Sequence, residues 1–340
     1  MSIQAKIDQV IHQLGSISIQ DFIEISNFDQ EGFYNKKENE KISKKGHFIT
    51  SPEITPLFGY TLCNQFLNKF PNTKKVQLIE LGPGNGTLTK DIVNFLGKNN
   101  IDISQITLIE RSEYFKNRLK MKFDENIRIL ENLSHIEQKN DETLFIYSNE
   151  FFDALGSKQF IYDNGEFHEI AIIKDQKQYK LIHQHSLLSD YLKKYYSSYD
   201  FNNGDILEHS NLTLNFFEDI KNIINKSFFF SATDYGYRNI SKKSSLRLIS
   251  NHQKINLFET FENVDYSFGV NFELFNNFFF NFHPIIETQS KVISNFLPSE
   301  YQKTSDKETL KALELIMGKD FDDMGGSFFN ISFYKILDNE

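Results

Sequence analysis

Apolar positions along the chain keep two rhythms. Ile3, Ile7, Val10, Ile11 and Leu14 stand at helical spacing and stop at Gly15, predicting a helix over residues 1–14. Ser18-Ile19-Gln20-Asp21 begins a second helix carrying Phe22, Ile23 and Ile25. A polar stretch over 35–45 reads as an exposed loop. Ser51, with Pro52 and Glu53 behind it, predicts a helix from 51 to about 70. From 76 to 150 the pattern alternates strand and helix: strands at 76–81, 105–110, 127–130 and 143–149, helices at 87–97 and 112–121. Short buried strands separated by helices are the mark of a parallel sheet with right-handed crossovers.

The pattern then changes. Gln159 to Ile170 alternates around Asn164-Gly165, a hairpin signal, with a third strand near Tyr179–Leu181. Helices follow at 186–198 and 211–225. Ser227 to Thr233 resumes the core sheet, and 238–270 reads as polar and irregular. A helix at 271–280, a strand at 283–289, helices at 290–296 and 307–316 and a strand at 327–335 complete the chain. The expected architecture is α/β. An N-terminal helical extension (1–70) precedes a Rossmann-like domain (71–340), with insertions at 156–225 and 238–270 covering the active site.

The first strand–turn–helix is the stretch with chemistry. Val76 to Leu81 runs into Gly82-Pro83-Gly84-Asn85-Gly86, and Thr87 and Thr89 stand where a helix cap is needed. In doubly wound folds cofactors sit at the carboxyl ends of the strands, and glycines let backbone approach them. The spacing G-x-G-x-G departs from the G-x-G-x-x-G of dinucleotide folds. Glu80 before the first glycine suits a cationic amino-acid headgroup, and Glu110, ending the second strand, can accept both ribose hydroxyls. Together these indicate S-adenosylmethionine (SAM) rather than a nicotinamide. Acids cluster at other strand ends too: Ser148-Asn149-Glu150-Phe151-Phe152-Asp153 and Asp234-Tyr235-Gly236-Tyr237.

Composition narrows the partners. A net charge of −9 argues against nucleic acid. The single Cys63 leaves no intrachain disulfide and no cysteine zinc site, and no metal site is expected. No apolar run is long enough to cross a membrane. Residues 1–14 resemble neither a signal nor a transit peptide, so a cytoplasmic location is expected. The 35 Phe and the absence of Trp say little about function. The sequence sets no oligomeric state.

Several separated blocks agree on a family. Gly46-His47-Phe48-Ile49-Thr50-Ser51-Pro52-Glu53, Glu80-Leu81-Gly82-Pro83-Gly84-Asn85-Gly86-Thr87-Leu88, Asn149-Glu150-Phe151-Phe152-Asp153-Ala154-Leu155, Asp234-Tyr235-Gly236-Tyr237 and Met324-Gly325 occur in order. With them the chain resembles the MidA-type SAM-dependent protein-arginine methyltransferases, assembly factors for respiratory complex I. The resemblance implies a class I SAM-dependent methyltransferase fold and a protein substrate, with a complex I subunit as the expected partner. Glu53, Glu150, Asp153 and Asp234 are then the expected catalytic acids, with Phe152 and Tyr235 as channel walls. Glu80, Gly82, Gly84, Gly86, Glu110, Thr50, Ser51 and Asn149 are the expected cofactor contacts. The chain departs from the family pattern at His47, Gly156, Gly269 and Asn271. A SAM-binding assembly chaperone without turnover, or a small-molecule methyltransferase, are the alternative readings.

Overall fold

The computed structural model describes residues 1–36, 49–123, 127–134, 136–138, 142–250, 253–318 and 324–337. The chain divides into two compact units. One comprises Met1–Lys37, Asp153–Asn215 and Asn239–Gly269; the other comprises Glu38–Phe152, Phe216–Arg238 and Val270–Glu340.

The second unit carries the parallel sheet. From one edge its strands are Ile285–Thr288, Phe328–Lys335, Phe228–Tyr237, Thr143–Asn149, Lys75–Leu81, Asp102–Ile109 and Ile127–Leu130. Phe328–Lys335 runs antiparallel to both neighbours, and the other pairs along this order are parallel. Strand Lys75–Leu81 is buried from Val76 onward, Gln77 and Glu80 included, with Val76, Leu78, Ile79 and Leu81 in the core. The chain winds outward from it on one side, then returns to start again beside it at Thr143–Asn149. That reversal opens a crevice at the carboxyl ends of these two strands.

Phenylalanine fills this core. Phe66, from helix Leu57–Lys69, stacks on Phe145 at 4.9 Å. Phe333 stacks on Phe230 at 4.6 Å and on Phe279 at 4.5 Å. Each such ring pair adds about 0.5–1.5 kcal/mol beyond area burial.

Two local expectations are corrected here. The helix expected over 51–70 is two helices, Ser51–Ile54 and Leu57–Lys69. Pro56 breaks it, because proline forces the preceding Thr55 out of the α region, to φ −160° and ψ 142°. Neither Thr87 nor Thr89 caps helix Thr87–Lys98; Gly86 does so in the left-handed region, and both threonine hydroxyls serve carboxylates instead.

The first unit is built on an antiparallel sheet. Strand Glu166–Asp175 pairs with Lys158–Asp163, Gln178–His185 and Ile17–Ser18, and Ile206–His209 joins the far side of Lys158–Asp163. The hairpin turn is the expected Asn164-Gly165, both at positive φ (49° and 85°), as a type I′ turn requires. Helices Ile3–Leu14 and Ile19–Phe28 place Ile7, Ile11, Phe22 and Ile23 in a core with Ile170 and Ile172. The stretch 238–270 is not irregular. Strands Gln253–Lys254, Arg247–Ser250 and Asp265–Ser267 form a second sheet, which delivers Leu248 and Tyr266 to the same core. The expected 1–70 extension is therefore divided. Residues 1–37 fall in this unit because Ile17–Ser18 adds an edge strand and the helices need an apolar face to cover.

Candidate functional site

The turn after strand Lys75–Leu81 bends through three left-handed glycines: Gly82 (φ 64°), Gly84 (φ 51°) and Gly86 (φ 67°). A Cβ on Gly82 would lie 2.6 Å from Phe151 Cδ2, and one on Gly86 2.5 Å from Phe123 Cε2. Conformation and space both demand glycine there, and the Gly82 and Gly86 N–H groups donate to the Ile109 and Pro83 carbonyls at 2.9 and 2.7 Å.

Side chains from several elements close on this loop. Glu53 Oε1 accepts the Thr87 hydroxyl at 2.7 Å and the Asn85 amide at 3.2 Å. Glu110, buried at the end of strand Asp102–Ile109, accepts the backbone N–H of Ser112 at 2.8 Å and those of Gly84 and Arg111. Burial outweighs these bonds and pushes its carboxyl up to about 7. Lys122, at the end of helix Glu113–Lys122, donates to the Asn85 carbonyl at 2.7 Å.

Glu80 does not face a headgroup. It is 2% exposed, beneath the loop, and accepts the hydroxyl and the backbone N–H of Thr89. Tyr147 in turn donates to the Thr89 hydroxyl at 2.7 Å. Burial raises the Glu80 carboxyl to about 7, against the lowering effect of Thr89. Its work in this geometry is to pin the start of helix Thr87–Lys98. Thr50 is the N-cap residue of helix Ser51–Ile54 but makes no side-chain cap bond. Ser51 is fully buried and pairs with Gln289 at 3.0 Å, so it ties the helix to the C-terminal region.

The turn after strand Thr143–Asn149 is held differently. Asn149 sits in register with Thr233 of strand Phe228–Tyr237. Its Nδ2 donates to Glu150 Oε1 at 3.1 Å, while its buried Oδ1 has no partner. Glu150 takes φ +52° and donates its N–H to the Thr233 carbonyl at 2.9 Å. Asp234, 1% exposed, accepts the N–H of Phe151 at 3.1 Å, of Phe152 at 2.9 Å and of Tyr235 at 3.0 Å. It thus shapes the turn that presents Glu150, a positioning role in place of the expected direct one.

Phe152 is core, against Phe275 at 4.8 Å, and Tyr235 is buried near Phe328. Phe151, half-buried against Gly82, is the aromatic that meets the loop. Asp153 belongs to the other unit, where its carbonyl accepts the Phe268 N–H at 2.9 Å. Of the departures, His47 lies outside the described residues. Asn271 caps helix Phe272–Phe278 through the Glu273 N–H at 3.1 Å. In the first unit, the Gly269 N–H binds Ser245 Oγ at 2.9 Å.

These features fit SAM. A left-handed glycine turn, an acid ending the neighbouring strand and an unpaired amide oxygen at the next strand end suit a donor with hydroxyls and an ammonium group. Among the described residues no cluster of His, Cys, Asp or Glu could hold a metal ion. The strand order and the loop define the class I SAM-dependent methyltransferases.

The comparisons with known proteins agree. Residues 61–282 match the family described as "Putative S-adenosyl-L-methionine-dependent methyltransferase", and the chain belongs to that family. It is 31% identical over 165 residues to the mitochondrial protein arginine methyltransferase NDUFAF7 homolog of Caenorhabditis elegans, covering 42% of this chain and 38% of that one. It is 38% identical over 112 residues to the Homo sapiens protein arginine methyltransferase NDUFAF7, covering 30% and 25%. The matched region thus spans less than half the length of these relatives. A COG1565 superfamily member from Burkholderia thailandensis, bound to S-adenosyl-homocysteine (SAH), shares the fold. Its TM-score is 0.83 at 15% identity, over 98% of this chain and 92% of that one.

Proposed function

We propose that this SAM-dependent methyltransferase methylates an arginine side chain of a partner protein, a respiratory complex I subunit, in the cytoplasm. The observation that carries the reading is Glu150. A non-glycine residue at φ +52° is costly, of order 1 kcal/mol or more, and is kept where the surroundings over-determine it. Thr233 and Asp234 grip the turn around it. Such effort to aim one carboxylate supports a role in handling an acceptor.

An arginine in solution is always protonated. Glu150 holds the guanidinium, turns one nitrogen toward the methyl group and takes the proton that this nitrogen loses. Glu53 is the second acid: its Oε1 is tied to Asn85 and Thr87, and among the described residues its Oε2 is open to the acceptor. The loop Gly82–Gly86, Glu110 and Asn149 hold the cofactor, which supplies the methyl group. Ser51 and Glu80 fix the elements around it, and Asp234 fixes the Glu150 turn. A net charge of −9 favours a basic protein segment as acceptor. The choice of a complex I subunit rests on the family resemblance, and the relatives' printed names support arginine.

The test is mass spectrometry of methylarginine on complex I subunits, from cells with and without this gene. A modified arginine that disappears with the gene is expected. Label from SAM passing only to small molecules overturns the proposal in favour of a small-molecule enzyme. Loss of complex I without any lost methylarginine favours the chaperone reading.

A further inference from the structure

SAM carries three charges at neutral pH: a sulfonium, an ammonium and a carboxylate. Glu53 and Glu110 are the acids beside the glycine loop. Neither can accept the carboxylate, which would be repelled. Lys122 is the cation that touches the loop. Its Nζ donates to the Asn85 carbonyl at 2.7 Å and lies 3.4 Å from Thr87 Oγ1. Thr87 spends its own proton on Glu53, so its oxygen is free to accept. An ammonium has three protons, and these two bonds leave one. Among the described residues no carboxylate lies within ion-pair distance of Lys122 Nζ, and the side chain is exposed. The neighbouring acid Glu113 pairs with Lys116 at 2.5 Å instead.

The lysine is also held in place from behind. A Cβ on Gly86 would lie 2.7 Å from Leu119 Cδ2 and 2.5 Å from Phe123 Cε2, so the end of helix Glu113–Lys122 is packed tightly on the loop. Arg111, the other cation nearby, contributes to the field at Glu131.

We propose that Lys122 recognises the carboxylate of the methionyl end of SAM, setting the register of the cofactor along the loop. The proposal rests on the reading that loop Gly82–Gly86 holds the cofactor. Calorimetry with two ligands separates them: SAH, which has the amino-acid end, and 5′-methylthioadenosine, which keeps the adenosine and sulfur but lacks that end. The wild type is expected to bind both. Lys122→Met is expected to weaken SAH by roughly 10–100-fold, the range of a hydrogen bond to a charged group. It should leave methylthioadenosine within about twofold, and Lys122→Arg should restore most of the SAH affinity. Unchanged SAH affinity in Lys122→Met overturns the proposal. So does equal loss of both ligands in Lys122→Met and Lys122→Gln, which makes Lys122 a brace of the loop. A wild type that binds neither ligand sinks the loop assignment itself.

Discussion

Two strand ends of the same sheet are built in opposite ways. After Lys75–Leu81 the turn is built of left-handed glycines, and side chains come to it from elsewhere: Glu53 from a short helix, Glu110 from the next strand, Lys122 from the helix beyond. After Thr143–Asn149 the side chains stand on the turn itself, and the backbone is gripped by Asp234. A donor that must be enclosed suits the first design, since backbone can approach it from below while side chains close around it. An acceptor that comes and goes suits the second, since one acid is held ready at a fixed angle.

The largest expected effect separates the two ends. Glu150→Gln keeps the size and the turn but removes the charge. Methyl transfer should slow by 100-fold or more, at least about 2.7 kcal/mol in the barrier. SAH affinity should stay within about tenfold and the melting temperature should hold. A variant that retains full turnover would place the acceptor elsewhere.

The first strand end was largely legible in sequence, and the second only in part. Glycines signal a left-handed backbone directly, so Gly82, Gly84 and Gly86 could be read one by one. A carboxylate carries no such mark. Glu80, Glu150 and Asp234 look alike in the chain, yet one pins a helix, one pairs with the Asn149 amide and one grips backbone N–H groups. Their division follows from which strand neighbour each meets, which only the fold decides. Between Phe151 and Phe152 the choice was likewise a matter of facing. Lys122 carried no local signal, because its partner is a carbonyl 37 residues away. The sheet in 238–270 was missed for a related reason: Leu248 and Tyr266 have apolar partners only once residues 1–28 are packed on them. The break at Pro56 was readable and was passed over.

Asp234→Ala tests the grip. It leaves three backbone N–H groups without their acceptor in a buried place. A buried donor left without its acceptor costs about 1–3 kcal/mol. Thermal unfolding should fall accordingly, and methyl transfer should fall with it as the Glu150 turn relaxes. A stable Asp234→Ala with low turnover would instead return Asp234 to direct contact with the acceptor.

The loop end should be the more pH-sensitive of the two. Glu80 and Glu110 both titrate near 7, raised from the ordinary carboxylate range by burial. Between about pH 4.5 and 7 the unfolded chain loses these protons while the folded one keeps them, so stability falls as pH rises through that window. The melting temperature should be a few degrees higher at pH 5.5 than at pH 8. Glu80→Gln should flatten part of that slope. Affinity for the cofactor should move the opposite way and strengthen toward pH 8, as Glu110, which closes on the loop, ionises. A flat melting profile in the wild type would show that these acids are solvated in the folded state.

The smallest effect concerns Ser51, expected from its motif to touch the cofactor and found fully buried on Gln289. The Ser51 oxygen lies 3.0 Å from Gln289 Nε2, and that amide also donates to the Ile316 carbonyl at 2.8 Å. Ser51→Ala removes the bonds between the Ser51 hydroxyl and the Gln289 amide, at 3.0 and 3.3 Å, and leaves the one to Ile316. The cost should be about 1 kcal/mol, a typical net value, lowering the melting temperature by roughly 2–4 °C. Glu53 stands two residues further on and depends on the same short helix, so a slight loosening there is transmitted to Asn85 and Thr87. If Ser51 only ties helix Ser51–Ile54 to the C-terminal region, SAH affinity should change less than twofold. A tenfold loss of SAH affinity with an unchanged melting temperature would instead make Ser51 a cofactor ligand, and would add one more side chain to those that reach the loop.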